Sequence, residues 1–148
     1  MKKVLTFGTF DVLHPGHISY LTQAQNLADE LHICVARDVT VKHIKNITPR
    51  QTEDERIFEI QSYFPDAVVY LGDTVDHMKI IDDVKPDIIA LGYDQRSFTD
   101  QLEKYITDNT LSIEIVRLQS FYPDMYKSSR FRNDNMKQKN MHGGFDAL

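Results

Sequence analysis

Short apolar runs that alternate with amphipathic stretches predict an α/β domain built on a five-stranded, doubly wound parallel sheet. Two further observations support it. The spacing between successive runs leaves room for a helical crossover each time. The first run also passes directly into a turn rich in glycine and histidine that opens the first helix.

Residues 4–7 form the first predicted strand, and residues 16–28 the first helix, with Ile18, Leu21, Ala24 and Leu27 recurring at helical spacing. Residues 31–36 form the second strand, 39–44 a short helix, and 45–51 a polar loop containing Pro49. Thr52 and Glu55 have the spacing of a capping box, in which a hydroxyl and a carboxylate satisfy each other's backbone N–H. The helix they open runs to about Tyr63 and stops before Pro65. Residues 67–71 are the third strand, and 74–84 a third long helix ended by Pro86. Residues 87–91, 97–108 and 112–116 follow as strand, helix and strand. The result is a three-layer, Rossmann-like α/β/α domain. Such sheets take ligands at the carboxyl ends of their strands, where the strand order reverses.

With 148 residues the chain is the size of one domain, assigned to residues 1–132. Residues 133–148 are polar and Gly-containing, and are expected to be a frayed tail. The net charge of −5 gives the chain as a whole no footprint for nucleic acid, although residues 127–148 carry +3. Cys34 is the one cysteine, so no internal disulfide can form, and its apolar neighbours suit a buried strand thiol. The first residues are too short and polar for a signal peptide, and no run approaches a membrane span. A cytoplasmic protein is expected.

Gly8-Thr9-Phe10-Asp11-Val12-Leu13-His14-Pro15-Gly16-His17 carries the chemistry. Free N–H groups at a helix start favour phosphate, and Gly8 and Gly16 allow close backbone approach. His14 and His17 bracket Gly16, where each can donate to phosphate oxygens and offset developing charge. A zinc bound by this pair lacks a third ligand in the sequence.

This string resembles the Gly-Thr-Phe-Asp-x-x-His-x-Gly-His signature of the cytidylyltransferase-like nucleotidyltransferases, over roughly residues 1–130. That family includes glycerol-3-phosphate cytidylyltransferase and the archaeal FAD synthases. The resemblance implies that His14 and His17 contact a triphosphate and stabilise the transition state. It implies nucleotide contacts for Gly8, Thr9, Phe10, Asp11 and Gly16, a phosphate-binding lysine at Lys42 or Lys45, and a catalytic arginine at Arg56. Lys42 is preferred because it lies nearer the strand end. Gly92, Asp94 and Gln95 match the family's turn beside base and ribose, and Ser128 and Ser129 its hydroxyl-rich motif at the last helix. Arg37 and Asp38 end the second strand and are candidates for the acceptor. Phe121 and Tyr122 replace the family's Gly-containing stretch and offer aromatic faces to a flat acceptor ring.

The implied reaction is in-line attack by an acceptor phosphate on the α-phosphorus of a nucleoside triphosphate, with release of pyrophosphate. An anionic acceptor needs no general base, so catalysis is positioning and charge stabilisation. Mg²⁺ would accompany the triphosphate, and Asp11 is a candidate to hold it or to orient a histidine. The stretches from Val35 to Lys42, from Leu91 to Gln95 and from Glu114 to Arg117 look most like archaeal-type FAD synthases, which implies ATP and FMN as substrates. The alternatives are a cytidylyltransferase acting on glycerol 3-phosphate or another polyol phosphate, adenylyl transfer to a sugar phosphate, and a non-catalytic nucleotide-binding module. The absence of tryptophan disfavours the glycerol-phosphate branch, which typically has one after this turn. By analogy the protein is expected to be a homodimer, with Tyr63, Phe64 and Tyr70 as a candidate apolar patch.

Overall fold

The computed structural model describes residues 1–93, 95, 96 and 99–120. Its strands are β1 (Lys3–Gly8), β2 (Glu30–Val35), β3 (Val68–Leu71), β4 (Ile88–Leu91) and β5 (Glu114–Arg117). They form one sheet in the order β3-β2-β1-β4-β5, parallel at every pairing. The register of β1 runs from Lys3↔Glu30 to Gly8↔Val35 on one side and from Val4↔Ile88 to Thr6↔Ala90 on the other. The helices are α1 (Pro15–Gln25), α2 (Asp38–Lys45), α3 (Glu53–Tyr63), α4 (Lys79–Val84) and α5 (Thr99–Asp108).

The chain winds outward from β1 to β3, then crosses back over β1 to β4. That reversal sends the later helices to the opposite face. On one face Tyr20, Leu21 and Ala24 of α1 and Ile60 of α3 pack against Val4, Leu31, Ile33, Val35 and Ala90. On the other, Ile80, Ile81 and Val84 of α4 and Leu102 of α5 pack against Leu5, Phe7, Cys34, Ile89 and Leu91. Successive strand residues therefore feed opposite cores, which is why these strands read as continuous apolar runs. The predicted doubly wound, three-layer class is the observed one.

Thr52 caps α3 as expected: its hydroxyl accepts from Glu55 N at 3.2 Å, and the Glu55 carboxylate accepts from Thr52 N at 2.9 Å. The helix expected over 74–84 is shorter. Asp73 Oδ1 accepts from the N–H of Val75 and of Asp76, and Asp76 Oδ1 from that of Met78, so side chains take the donors a helix would use. The buried stripe of α1 is His17, Tyr20, Leu21 and Ala24, with Ile18 and Leu27 only partly buried. The aromatic patch expected near β3 does not form. Phe64 is buried in the core, and the Tyr70 hydroxyl meets His32 Nδ1 at 2.8 Å, which leaves Tyr63 as the exposed member of the three. No helix among the described residues is long and apolar enough to cross a membrane.

Candidate active site

β1 delivers the chain to the central carboxyl edge of the sheet, and the turn after it must reverse into α1 within six residues. Phe10 and Val12 both adopt φ 56°, the left-handed region. For non-glycine residues this costs on the order of 1–3 kcal/mol each and persists only where surroundings over-determine it. The surroundings of Phe10 are plain: its ring is fully buried, edge-on to His17 at 5.6 Å and stacked on Tyr20 at 6.0 Å. Phe10 is therefore a core residue, not a nucleotide-facing one. Gly8 is required by the same ring, because a Cβ there would lie 2.6 Å from Phe10 Cε2 and Cζ. Gly8→Ala is expected to destabilise the fold by about 1–3 kcal/mol through overpacking, a loss that urea denaturation would measure.

His14 is the N-cap of α1 and Pro15 fills the first helical position, where a missing N–H does no harm. His14 Nδ1 accepts from Gly16 N at 3.0 Å, and His17 Nδ1 accepts from His14 N at 3.4 Å. The Gly16 amide expected to await phosphate thus caps a side chain instead. The hydrogen-bond pattern assigns the ring proton of each neutral histidine to Nε2. The two rings stack with centroids 3.7 Å apart and planes at 27°. Two Nε2–H donors are thereby carried side by side at the head of α1, each held from behind by backbone. Beneath them the Tyr20 hydroxyl lies 3.3 Å from Phe7 O and 3.0 Å from Ala90 O, bridging β1 and β4 where their ladder ends.

Asp11 and Arg56 were candidates for ligand contact, and the structure turns both inward. The Asp11 carboxylate accepts from Arg50 N and Gln51 N, each at 2.9 Å, so it pins the loop before α3. Among the described residues no group of three or more His, Cys, Asp or Glu could hold a metal ion. Arg56 is fully buried. Its guanidinium donates to Thr9 O at 2.7 Å, Gln51 O at 3.3 Å and Asp38 Oδ1 at 2.7 Å. It is a positioning residue for the turn, and its partner is Asp38 rather than the neighbouring glutamates of its own helix. Asp38 and Glu53 in turn cap each other's helices, Asp38 N donating to Glu53 Oε1 and Glu53 N to Asp38 Oδ2. Asp38, proposed for the acceptor, is thus part of the scaffold. Thr9 is buried behind the same clasp.

A shallow cleft opens at the carboxyl ends of β1, β2 and β3, lined by Phe7, Cys34, Ala36, Arg37, Thr40 and His77 among others. Arg37 stays at its rim because Nε donates to Gly72 O at 2.7 Å while Nη1 lies 3.7 Å from Glu53 Oε2. Burial pushes the Cys34 thiol up to about 12, so it lines the cleft as a neutral, apolar group. Neither Lys42 nor Lys45 lines the cleft; Lys42 is exposed and Lys45 half-buried. Within α2, Lys45 follows the buried Val41 by four residues and shares its side.

At the end of β4 the Gln95 side chain folds back, Oε1 accepting from Gly92 N at 3.0 Å, and Gln95 is buried. Arg117 of β5 donates to Gly92 O at 2.8 Å and to Gln95 O, bracing this turn from the side. Asp94, Phe121, Tyr122, Ser128 and Ser129 lie outside the described residues, as does the tail from 133 onward.

A parallel sheet with an imidazole pair on the helix that leaves its central strand, beside a strand-order reversal, defines a nucleotide-handling α/β enzyme of the nucleotidyltransferase class. The family model described as cytidylyltransferase-like matches residues 5–134, and the chain belongs to that family. An FAD synthase of Methanolacinia petrolearia is 40% identical over 131 residues, covering 88% of this chain and 86% of that protein. One of Methanosarcina mazei is 42% identical, covering 80% and 77%. A crystal structure titled as a lipopolysaccharide core biosynthesis protein from Thermoplasma volcanium superposes with a TM-score of 0.75 at 38% identity, covering 83% of this chain and 99% of that one. A pantoate-β-alanine ligase from Francisella tularensis, at 16% identity and TM-score 0.62, shares the fold; it covers 89% of this chain and 65% of that one.

Proposed function

We propose that this nucleotidyltransferase joins ATP and FMN, transferring AMP to the FMN phosphate to give FAD and pyrophosphate. The stacked His14–His17 pair carries the chemical part of the reading. An FMN phosphate oxygen attacks the α-phosphorus, the bond to the bridging oxygen of the β-phosphate breaks, and pyrophosphate leaves. Charge builds on the non-bridging and leaving oxygens, which is where two preoriented Nε2–H donors lower the barrier. No proton has to be removed from the acceptor, which agrees with a turn whose nearest carboxylate, Asp11, is committed to backbone amides. The choice of FMN is supported by relatives named FAD synthase at 36–42% identity over most of the chain. We assign the acceptor to the cleft beside Arg37, with an apolar wall of Phe7, Cys34 and Ala36 for a flat ring. Between the two lysines, Lys45 is the better phosphate clamp on grounds of burial. Mg²⁺ would enter as a companion of the triphosphate, because the described side chains provide no cage for it. We further propose a cytoplasmic homodimer.

The test offers ATP and CTP against FMN, glycerol 3-phosphate and sugar 1-phosphates, with pyrophosphate as readout. Release is expected with ATP and FMN alone. Release with CTP and glycerol 3-phosphate would move the assignment to a cytidylyltransferase, and release with no pair at all would make the chain a nucleotide-binding module.

A further inference from the structure

We propose that Gln51 and Glu59 are positioning residues that hold the strained turn before α1, and through it the two imidazoles, in place. The proposal rests on the nucleotidyl-transfer reading above. Of the two left-handed residues in the turn, Phe10 is anchored by its own buried ring. Val12 has no such anchor: it is 41% exposed and β-branched, the kind of side chain least tolerant of positive φ. What meets it is an acceptor from outside the turn. Val12 N donates to Gln51 Oε1 at 2.8 Å, and the next amide, Leu13 N, donates to Glu59 Oε1 at 3.1 Å. The following residue is His14, whose N–H completes the cap on His17 Nδ1. Three consecutive amides are thus fixed in sequence, two by Gln51 and Glu59 and the third by the histidine pair itself.

The contact is reciprocal. Gln51 offers its side chain to Val12 and its backbone N–H to Asp11, while Arg56 ties Gln51 O to Thr9 O. Without the two acceptors, Val12 would relax toward negative φ and carry the backbone of His14 with it. The imidazoles would then lose their common aim while the core beneath Phe10 stayed intact. Neither Gln51 nor Glu59 lines the cleft, so substrate affinity should survive their replacement.

The test has a structural and a kinetic arm. Amide hydrogen exchange of Val12 should accelerate in Gln51→Leu, and that of Leu13 in Glu59→Leu. Turnover with ATP and FMN is expected to fall by about 10- to 100-fold in each, with KM values within about 3-fold. Glu59→Gln retains an acceptor oxygen and should keep wild-type turnover. Val12→Gly, introduced into Gln51→Leu, should restore most of the loss, because glycine adopts φ 56° without the steric conflict. Wild-type turnover in folded Gln51→Leu and Glu59→Leu would overturn the proposal. A defect that persists in Glu59→Gln, or that Val12→Gly fails to relieve, would do the same. If the wild-type protein releases no pyrophosphate, the functional reading fails and the exchange arm still decides: unchanged protection of Val12 and Leu13 refutes the hold on the turn, and faster exchange supports it.

Discussion

His17→Ala should remain folded and lose turnover by about 10²- to 10⁴-fold, the range for a positioned donor at a charge-building centre. The substitution removes two things at once. One is the Nε2–H donor; the other is the Nδ1 that accepts from His14 N at 3.4 Å. The second loss is a weak cap worth about 1 kcal/mol, and the loss of a buried ring packed edge-on to Phe10 adds to it. His17→Asn separates the two, because an asparagine Oδ1 falls near the position of Nδ1 and leaves Nε2 unreplaced. Melting near the wild-type temperature with turnover as poor as the alanine variant is the expected result. Near wild-type turnover in folded His17→Ala would remove His17 from the mechanism.

The largest stability effect is expected at Asp38, not at the residue buried against it. Arg56 is fully buried while the Asp38 carboxylate is 40% exposed. Arg56→Leu leaves behind a carboxylate that water already reaches, together with the Thr9 and Gln51 carbonyls, which are neutral and cost less to leave unpaired than a charge. Asp38→Ala instead leaves a guanidinium in the interior with only carbonyl partners, and removes the acceptor that caps Glu53 N. Breaking a buried pair from the side that strands the charge typically costs 3–5 kcal/mol; solvent at Asp38 puts this case near the lower end, about 3 kcal/mol. Urea denaturation of the two variants checks the order. A loss smaller in Asp38→Ala than in Arg56→Leu would show that Glu53 or the carbonyls alone satisfy the buried charge.

The parallel sheet was readable because strands covered on both faces must be apolar at successive positions, and the Thr52 box because its two partners are three residues apart. The histidine pair was readable because both residues fall in one short string at a strand-to-helix turn; that they cap the helix and each other emerged only from the fold. What could not be read was the destination of each polar group. Asp11 and Arg56 have the chemistry of ligand-binding residues, and only the fold shows that their partners are Arg50, Gln51, Thr9 and Asp38, up to 47 positions away. Gln51 and Glu59 carried no local signal at all. Leu21 and Ala24 of the expected α1 stripe are at the centre of the packing face and Ile18 and Leu27 at its margin; Tyr20 was missed because a residue with a hydroxyl was not counted toward the apolar periodicity. The helix at 74–78 failed because Asp73 and Asp76 compete for its amides, a local contest that apolar periodicity does not register.

The strand order has a consequence for how the protein is made. Of the five strands β1 comes first in sequence, yet it lies at the centre, and its second flank is residues 88–91. Until residues 88–91 have been synthesised, the central strand of the sheet has one open edge, and pairing it closes a loop of more than eighty residues. Non-local parallel pairing of this kind folds slowly and exposes edges to other chains. The histidine turn and the Gly92 turn stand on β1 and β4, the pair that closes this long loop, so a nascent or truncated chain ending before β4 can contain every residue of the imidazole site and still have no floor beneath it.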